Sequence, residues 1–226
     1  MKFSTAVLGL VVVFSPCFAA AADFKYFSPG DLEPNSGAGY KNSTIYFPDI
    51  RFPLEQGPAY LNSQVYRPGG SHKIGSQCDN SNYEYPWRDN YCETRGWSMP
   101  LCPAGKGHQG QDIRPSKCKA DLYWAVAVDD GVVANIGTYS VTLQTRTGTL
   151  YRYLHLNMSD LAVDELDRVT KGQRIGKVSN WFGDTKTTIH LHFDVKDTLI
   201  YKGKRQILYV SPYTSLINSY TKLIGD

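Results

Sequence analysis

The pattern of apolar and polar positions changes character near residue 120. Beyond it, short apolar or alternating runs follow one another closely. Leu122–Val128 is an apolar run stopped by Asp129-Asp130-Gly131, and Val132–Ile136 is the next. Val141-Thr142-Leu143-Gln144-Thr145-Arg146 alternates with period two, Thr147-Gly148 turns, and Thr149–His155 returns, which is a hairpin pattern. Val169–Val178, with turn glycine Gly172, is followed by Thr188–Val195 and Leu199–Val210. Ser159–Leu166 alone reads as a helix, and a short one. Runs of this length with tight turns predict an all-β fold, an antiparallel sheet or sandwich.

Residues 23–120 show little sustained periodicity and are rich in Pro, Gly, Asn, Tyr and Ser. One strand is expected over Ala59–Arg67, stopped by Pro68-Gly69-Gly70; the rest reads as ordered loop held by aromatic side chains and cystines. The chain's 16 tyrosines fit the packing of such a lobe better than a sugar-stacking surface.

Residues 1–22 start with Met1-Lys2, continue with the apolar run Ala6–Phe14 and end in Ala19-Ala20-Ala21-Ala22, the form of a cleaved export signal. The apolar stretch falls short of the ~20 residues a spanning helix needs, so no membrane anchor is expected. Cleavage near Ala22 leaves Cys78, Cys92, Cys102 and Cys118, an even set that predicts two disulfides. Local loop closure favours Cys78–Cys92 and Cys102–Cys118. A four-thiolate zinc site is disfavoured, since no C-x-x-C knuckle is present. A net charge of +3 without any block of like charge argues against nucleic acid as a partner.

The five histidines carry the chemistry. His108 and Asp112 form H-x-x-x-D, His190 and His192 form H-x-H, and His155 ends a predicted strand; only His72 lies outside these segments and reads as a loop histidine. Side chains at i and i+2 of a strand share a face, about 6.6–7 Å apart. His190 and His192 can therefore meet one site while Leu191 and Phe193 build the core behind it. A catalytic zinc uses three N/O ligands and keeps one position for water. His108, Asp112 and one of His190 or His192 supply that set, and the surplus histidines are placed to handle the water's proton and the oxyanion.

These segments resemble the lysostaphin-type (LytM-like) zinc peptidoglycan endopeptidases. The matching pieces come in order: His-Gln-Gly-Gln-Asp at 108–112, Asp-Asp-Gly-Val-Val at 129–133, Tyr-Leu-His-Leu at 153–156, Val-Thr-Lys-Gly-Gln-Arg-Ile-Gly at 169–176 and His-Leu-His-Phe at 190–193. The resemblance implies one zinc ion bound by His108, Asp112 and His192, with His155 and His190 as the catalytic pair. It implies the LytM/lysostaphin type of antiparallel sheet and the stem peptides or cross-bridges of peptidoglycan as substrate. The expected organisation is a signal peptide at 1–22, an N-terminal extension at 23–58, a loop-rich disulfide insertion at 59–104, the peptidase domain at 105–215 and a tail at 216–226. The expected protein is an exported, periplasmic or secreted monomer. The other readings are a catalytically silent wall-binding scaffold and a secreted protease for glycine-rich peptides. Arg114 is a candidate for a substrate carboxylate, with an ordinary salt bridge as the commoner alternative. The N-terminal lobe is expected to shield the groove.

Overall fold

The computed structural model describes residues 24–225; the proposed signal segment and Cys17 lie outside them. The architecture is mostly antiparallel β-sheet. Strand β1 spans Ala59–Leu61, β2 Gly110–Pro115, β3 Trp124–Val126, β4 Gly131–Ile136, β5 Ser140–Gln144, β6 Leu150–Leu154 and β7 Leu156–Leu161. Then come β8 at Arg168–Val169, β9 at Arg174–Val178, β10 at Trp181–Phe182 and β11 at Thr185–Lys186. Strand β12 at Leu191–Tyr201, β13 at Lys204–Val210 and helix α1 at Tyr213–Gly225 close the chain.

The main sheet runs β1-β2-β12-β6-β5-β4-β8, with β13 paired to β12, and a second sheet runs β3-β9-β7. Between them lies one apolar core, in which Ile113, Tyr153, Leu156, Ile175, Leu191 and Phe193 are fully buried. Phe47, Ile50, Phe52 and Leu54 of the N-terminal segment belong to that same core.

All strand expectations after residue 120 correspond to observed strands, shifted at their ends. Three others need correcting. The run Ala59–Arg67 forms a strand only to Leu61: its pairing with β2 ends opposite Ile113, and at the next β2 residue Asp112 N is taken by Asn90 Oδ1. Ser159–Leu166 is not a helix: Leu156–Leu161 is a strand paired with β9, and Leu156 and Leu161 close over Gly176, where a side chain would meet Leu161 Cδ2 at 2.8 Å. The helix lies instead in what read as a tail. Tyr213, Leu216 and Tyr220 recur at helical spacing, and Tyr220 packs its ring against Trp87, Phe52 and Phe24 at centroid distances of 4.4, 4.8 and 4.8 Å.

The disulfides also differ from expectation. Cys78 is joined to Cys118 and Cys92 to Cys102, with Cα separations of 5.3 and 5.4 Å. Loop-closure entropy varies only as the logarithm of loop length, about 0.6 kcal/mol per doubling, so spacing is a weak guide once the fold sets the neighbours. Here Arg114 of β2 donates to Gln77 O at 3.1 Å, which sets the loop carrying Cys78 beside the strand that precedes Cys118. Hydrogen bonds from Cys92 N to His108 O and from His108 N to Glu93 O tie Cys92 to the chain that follows Cys102.

Two measurements check this fold. Non-reducing peptide mapping by mass spectrometry is expected to recover Cys78–Cys118 and Cys92–Cys102; the local pairs would contradict the observed packing. Gly110→Ala is expected to lower unfolding stability by about 1–3 kcal/mol in denaturant titration, since the added Cβ would lie 2.2 Å from Phe193 O.

Candidate metal centre

The register of two strands brings the central side chains together. Strand β2 pairs antiparallel with β12 so that Asp112 stands directly opposite His192. Opposite residues of such a pair point to the same face. Leu191 and Phe193, of opposite parity, go into the core. Gly110 permits the close approach of the two backbones that this pairing requires. His108 sits in the connection just ahead of β2, and its Nδ1 donates to Asn90 O at 2.8 Å, which turns Nε2 toward the cleft as the unprotonated nitrogen.

Three donor atoms converge as a result. His108 Nε2 lies 2.9 Å from His192 Nδ1 and 3.3 Å from Asp112 Oδ1, and His192 Nδ1 lies 3.0 Å from the same oxygen. His108, Asp112 and His192 are all buried, offer ligand atoms within 4.8 Å of one another, and could hold a metal ion. Two imidazole nitrogens and a carboxylate oxygen pointed at one spot repel unless a cation or a proton lies between them. Their chemistry, N and O ligands only, suits a first-row divalent ion.

His155 and His190 flank this group. The His155 and His190 rings are 4.6 Å apart, and His190 Nε2 is 3.4 Å from Asp112 Oδ1. His190 stands one residue ahead of β12 rather than within it. Its Nδ1 donates to Thr188 O at 2.8 Å, and His155 Nδ1 to Trp181 O at 2.7 Å. Both therefore keep Nε2 free of backbone partners. His155 lies between β6 and β7 with φ +67°, a left-handed conformation that costs a non-glycine residue energy and is concentrated at functional sites. Bonds from His155 N to Tyr139 O and from Ser179 N to His155 O hold it there.

Electrostatics separate the roles. Burial alone would push the Asp112 carboxyl up, and the neighbouring His108 and His190 hold it well below the usual range. Burial opposes a charge on His192, but hydrogen bonds to Asp112 and Asp194 lift it to about 9. A metal cation could take the place of the proton on Nδ1, which faces Asp112, while Nε2 keeps the proton it shares with Asp194. Burial, then the nearby His190 and His192, push His155 well down. Burial also lowers His190, against the pull of Asp112.

Sequence reasoning missed the supporting shell. His192 Nε2 donates to Asp194 Oδ2 at 3.1 Å, and Arg152 grips Asp194 through Nε at 2.9 Å and Nη2 at 2.7 Å. This is a carboxylate backing a histidine, the arrangement that fixes the ring and raises its ligand strength. The i+2 spacing of His192 and Asp194, and the cross-strand place of Arg152, were the available signals. Asn90 carried none. It sits in irregular loop, yet its carbonyl holds His108 and its side chain accepts from Asp112 N at 2.9 Å.

A cleft of about 390 Å³ opens over the histidines, with Arg95, Trp97, Tyr139, Arg152 and Phe182 in its walls. No residue of 24–58 lines it; the lining residues that precede His108 are Gln64, Val65, Arg95 and Trp97. Arg114 forms no salt bridge among the described residues and does not reach the cleft. It is fully buried, donating to Asn62 Oδ1 and Gln77 O. His72 lies apart, stacked on Tyr66.

Residues 106–206 match Peptidase family M23. Among solved structures, the chain is similar to a putative glycyl-glycine endopeptidase LytM from Ruminococcus gnavus (18% identity, 78% of this chain and 63% of that one, TM-score 0.49). It is also similar to a putative peptidase M23 from Pseudomonas aeruginosa (19%, 84% and 54%, TM-score 0.43). A third likeness is to the catalytic domain of lysostaphin from Staphylococcus simulans (23%, 61% and 94%, TM-score 0.40). The chain thus spans less than two thirds of the length of the first two. No curated protein matches. Among the described residues, no helix is long and apolar enough to cross a membrane.

Asp194→Asn is expected to leave the fold intact and to weaken metal affinity about 10–100-fold, measured by competition with a chromogenic chelator. An unchanged affinity would deny Asp194 its backing role.

Proposed function

Because residues 106–206 match Peptidase family M23, we propose that the chain is a zinc-dependent endopeptidase of that family, cutting stem peptides or peptide cross-links of bacterial peptidoglycan. The observation that carries this reading is the convergence of His108, Asp112 and His192 on one point, with two further imidazoles beside it and a cleft above.

His108, Asp112 and His192 would hold one zinc ion. When bound, zinc supplies Lewis acidity at neutral pH. The chain's own side chains do the rest. His155 and His190, each with Nδ1 committed to a backbone carbonyl, present Nε2 as a proton acceptor. An Nε2 in that state takes a proton from an attacking water, and the imidazolium so formed is a donor that returns the proton to the leaving amine. Asp194 and Arg152 keep the His192 ring from rotating, and Asn90 does the same for His108. Fixing these groups before substrate arrives removes the orientational cost from the reaction. Export through segment 1–22, a periplasmic location and action as a monomer belong to the same proposal.

The test is digestion of purified sacculi, with muropeptides followed by chromatography and mass spectrometry. Peptide-cleavage products are expected to appear and to vanish with a metal chelator. His192→Ala should reduce them by more than the roughly hundredfold that losing a supporting group can cost. Products that persist through both controls, or zinc-loaded protein that releases none, would overturn the proposal.

A further inference from the structure

We propose that the Arg95–Trp97 wall of the cleft is a carboxylate-binding subsite, so that the preferred substrate is a peptide bearing a free carboxylate beside the scissile bond rather than an uncharged, glycine-only bridge. This rests on the enzymatic reading above and adds the chemistry of the segment held next to the metal centre.

Among the described residues, Arg95 and Arg152 are the cleft's lining Arg/Lys side chains, and Asp112 is its lining carboxylate. Asp112 is committed to the metal centre, where a divalent ion would outweigh its charge. Each arginine is balanced by a fully buried carboxylate outside the lining, Glu93 for Arg95 and Asp194 for Arg152, so guanidinium rather than carboxylate faces whatever enters, and a cleft faced by one sign attracts ligands of the other.

Both guanidiniums are fixed without being used up. Arg95 donates through Nη1 to Thr94 O at 2.8 Å and through Nη2 to Glu93 Oε2 at 2.9 Å, and Glu93 is fully buried. Arginine carries five N–H donors, so most of those on Arg95 stay available. Arg152 is held by Asp194 through Nε and Nη2, which leaves Nη1 free of that pair. An arginine anchored along one edge loses less entropy when a carboxylate docks on the rest of the fork.

Arg95 and Trp97 lie in the loop closed by Cys92–Cys102. Hydrogen bonds from Cys92 N to His108 O, from His108 N to Glu93 O and from Gly107 N to Trp97 O lace that loop to the strand of chain ending in His108. The cation is therefore set at a fixed distance from a metal ligand, as a substrate-reading group must be. Trp97 is 58% exposed although it belongs to the cleft wall. Its indole offers a flat apolar face to the aliphatic stem of the same substrate residue.

The experiment uses zinc-loaded protein and three synthetic probes, each N-methylated at the scissile amide so that binding is read without turnover. One is a stem-type peptide with a free carboxylate, the second its carboxamide twin, the third a pentaglycine. Calorimetry is expected to find the carboxylate peptide binding about tenfold or more tightly than the other two. Arg95→Gln should bring the twins to near-equal affinity. With wild-type protein, raising salt from about 0.1 to about 1 M should narrow the gap, a readout that needs no variant to fold. Equal affinities for the twins, tight pentaglycine binding, or a ratio indifferent to Arg95→Gln would overturn the subsite. If sacculi are still cut in that case, only the subsite falls; if nothing is bound and nothing is cut, the enzymatic reading falls with it.

Discussion

The pairing of β2 with β12 is the constraint on which the rest of the molecule depends. Asp112 and His192 are far apart in the chain and meet only because these strands run antiparallel with those two residues opposite each other. A slip of one residue would send His192 into the core and Phe193 into the cleft, since strand side chains alternate with period two. The apolar positions forbid that slip: Ile113, Leu191 and Phe193 are fully buried between the sheets. Burial of the core thus sets the register, and the register brings the candidate ligands Asp112 and His192 together.

The remaining members of the centre come from irregular chain, where regular ladders cannot fix them. Each is pinned by a separate device. His108 is pinned by the Asn90 carbonyl and by the loop that Cys92–Cys102 closes. His155 is held in a left-handed conformation by backbone bonds on both sides. His190 is held by Thr188, whose hydroxyl in turn donates to Gln64 Oε1 at 2.6 Å. A rigid pair of strands supplies the common point, and loops aim the other imidazoles at it, consistent with sites that are most accurate when mounted on regular elements.

What could be seen in the sequence follows from this division. The alternation in 141–146 and again in 191–195 declares strands because one face of each is core. The histidine spacing declares a site because i and i+2 share a face. Asp194 was legible by the same rule, two residues beyond His192, but a carboxylate reads as a ligand or a surface charge until its partner Arg152 is seen across the strand. The helix at 213–225 was legible too, in Tyr213, Leu216 and Tyr220. Its partners Trp87, Phe52 and Phe24 lie far away in the chain, and only they make the pattern a buried face. The cysteine pairing and Asn90 were not legible, because neither periodicity nor spacing reports which loops the fold lays side by side.

The most direct measurement is the position of the metal itself, from zinc-edge anomalous diffraction on crystals grown with zinc. The account predicts one peak per chain at about 2.0–2.2 Å from His108 Nε2, His192 Nδ1 and an Asp112 oxygen, with His155 and His190 outside the first coordination sphere. A peak ligated by His155, or none at this centre in zinc-saturated crystals, would contradict it.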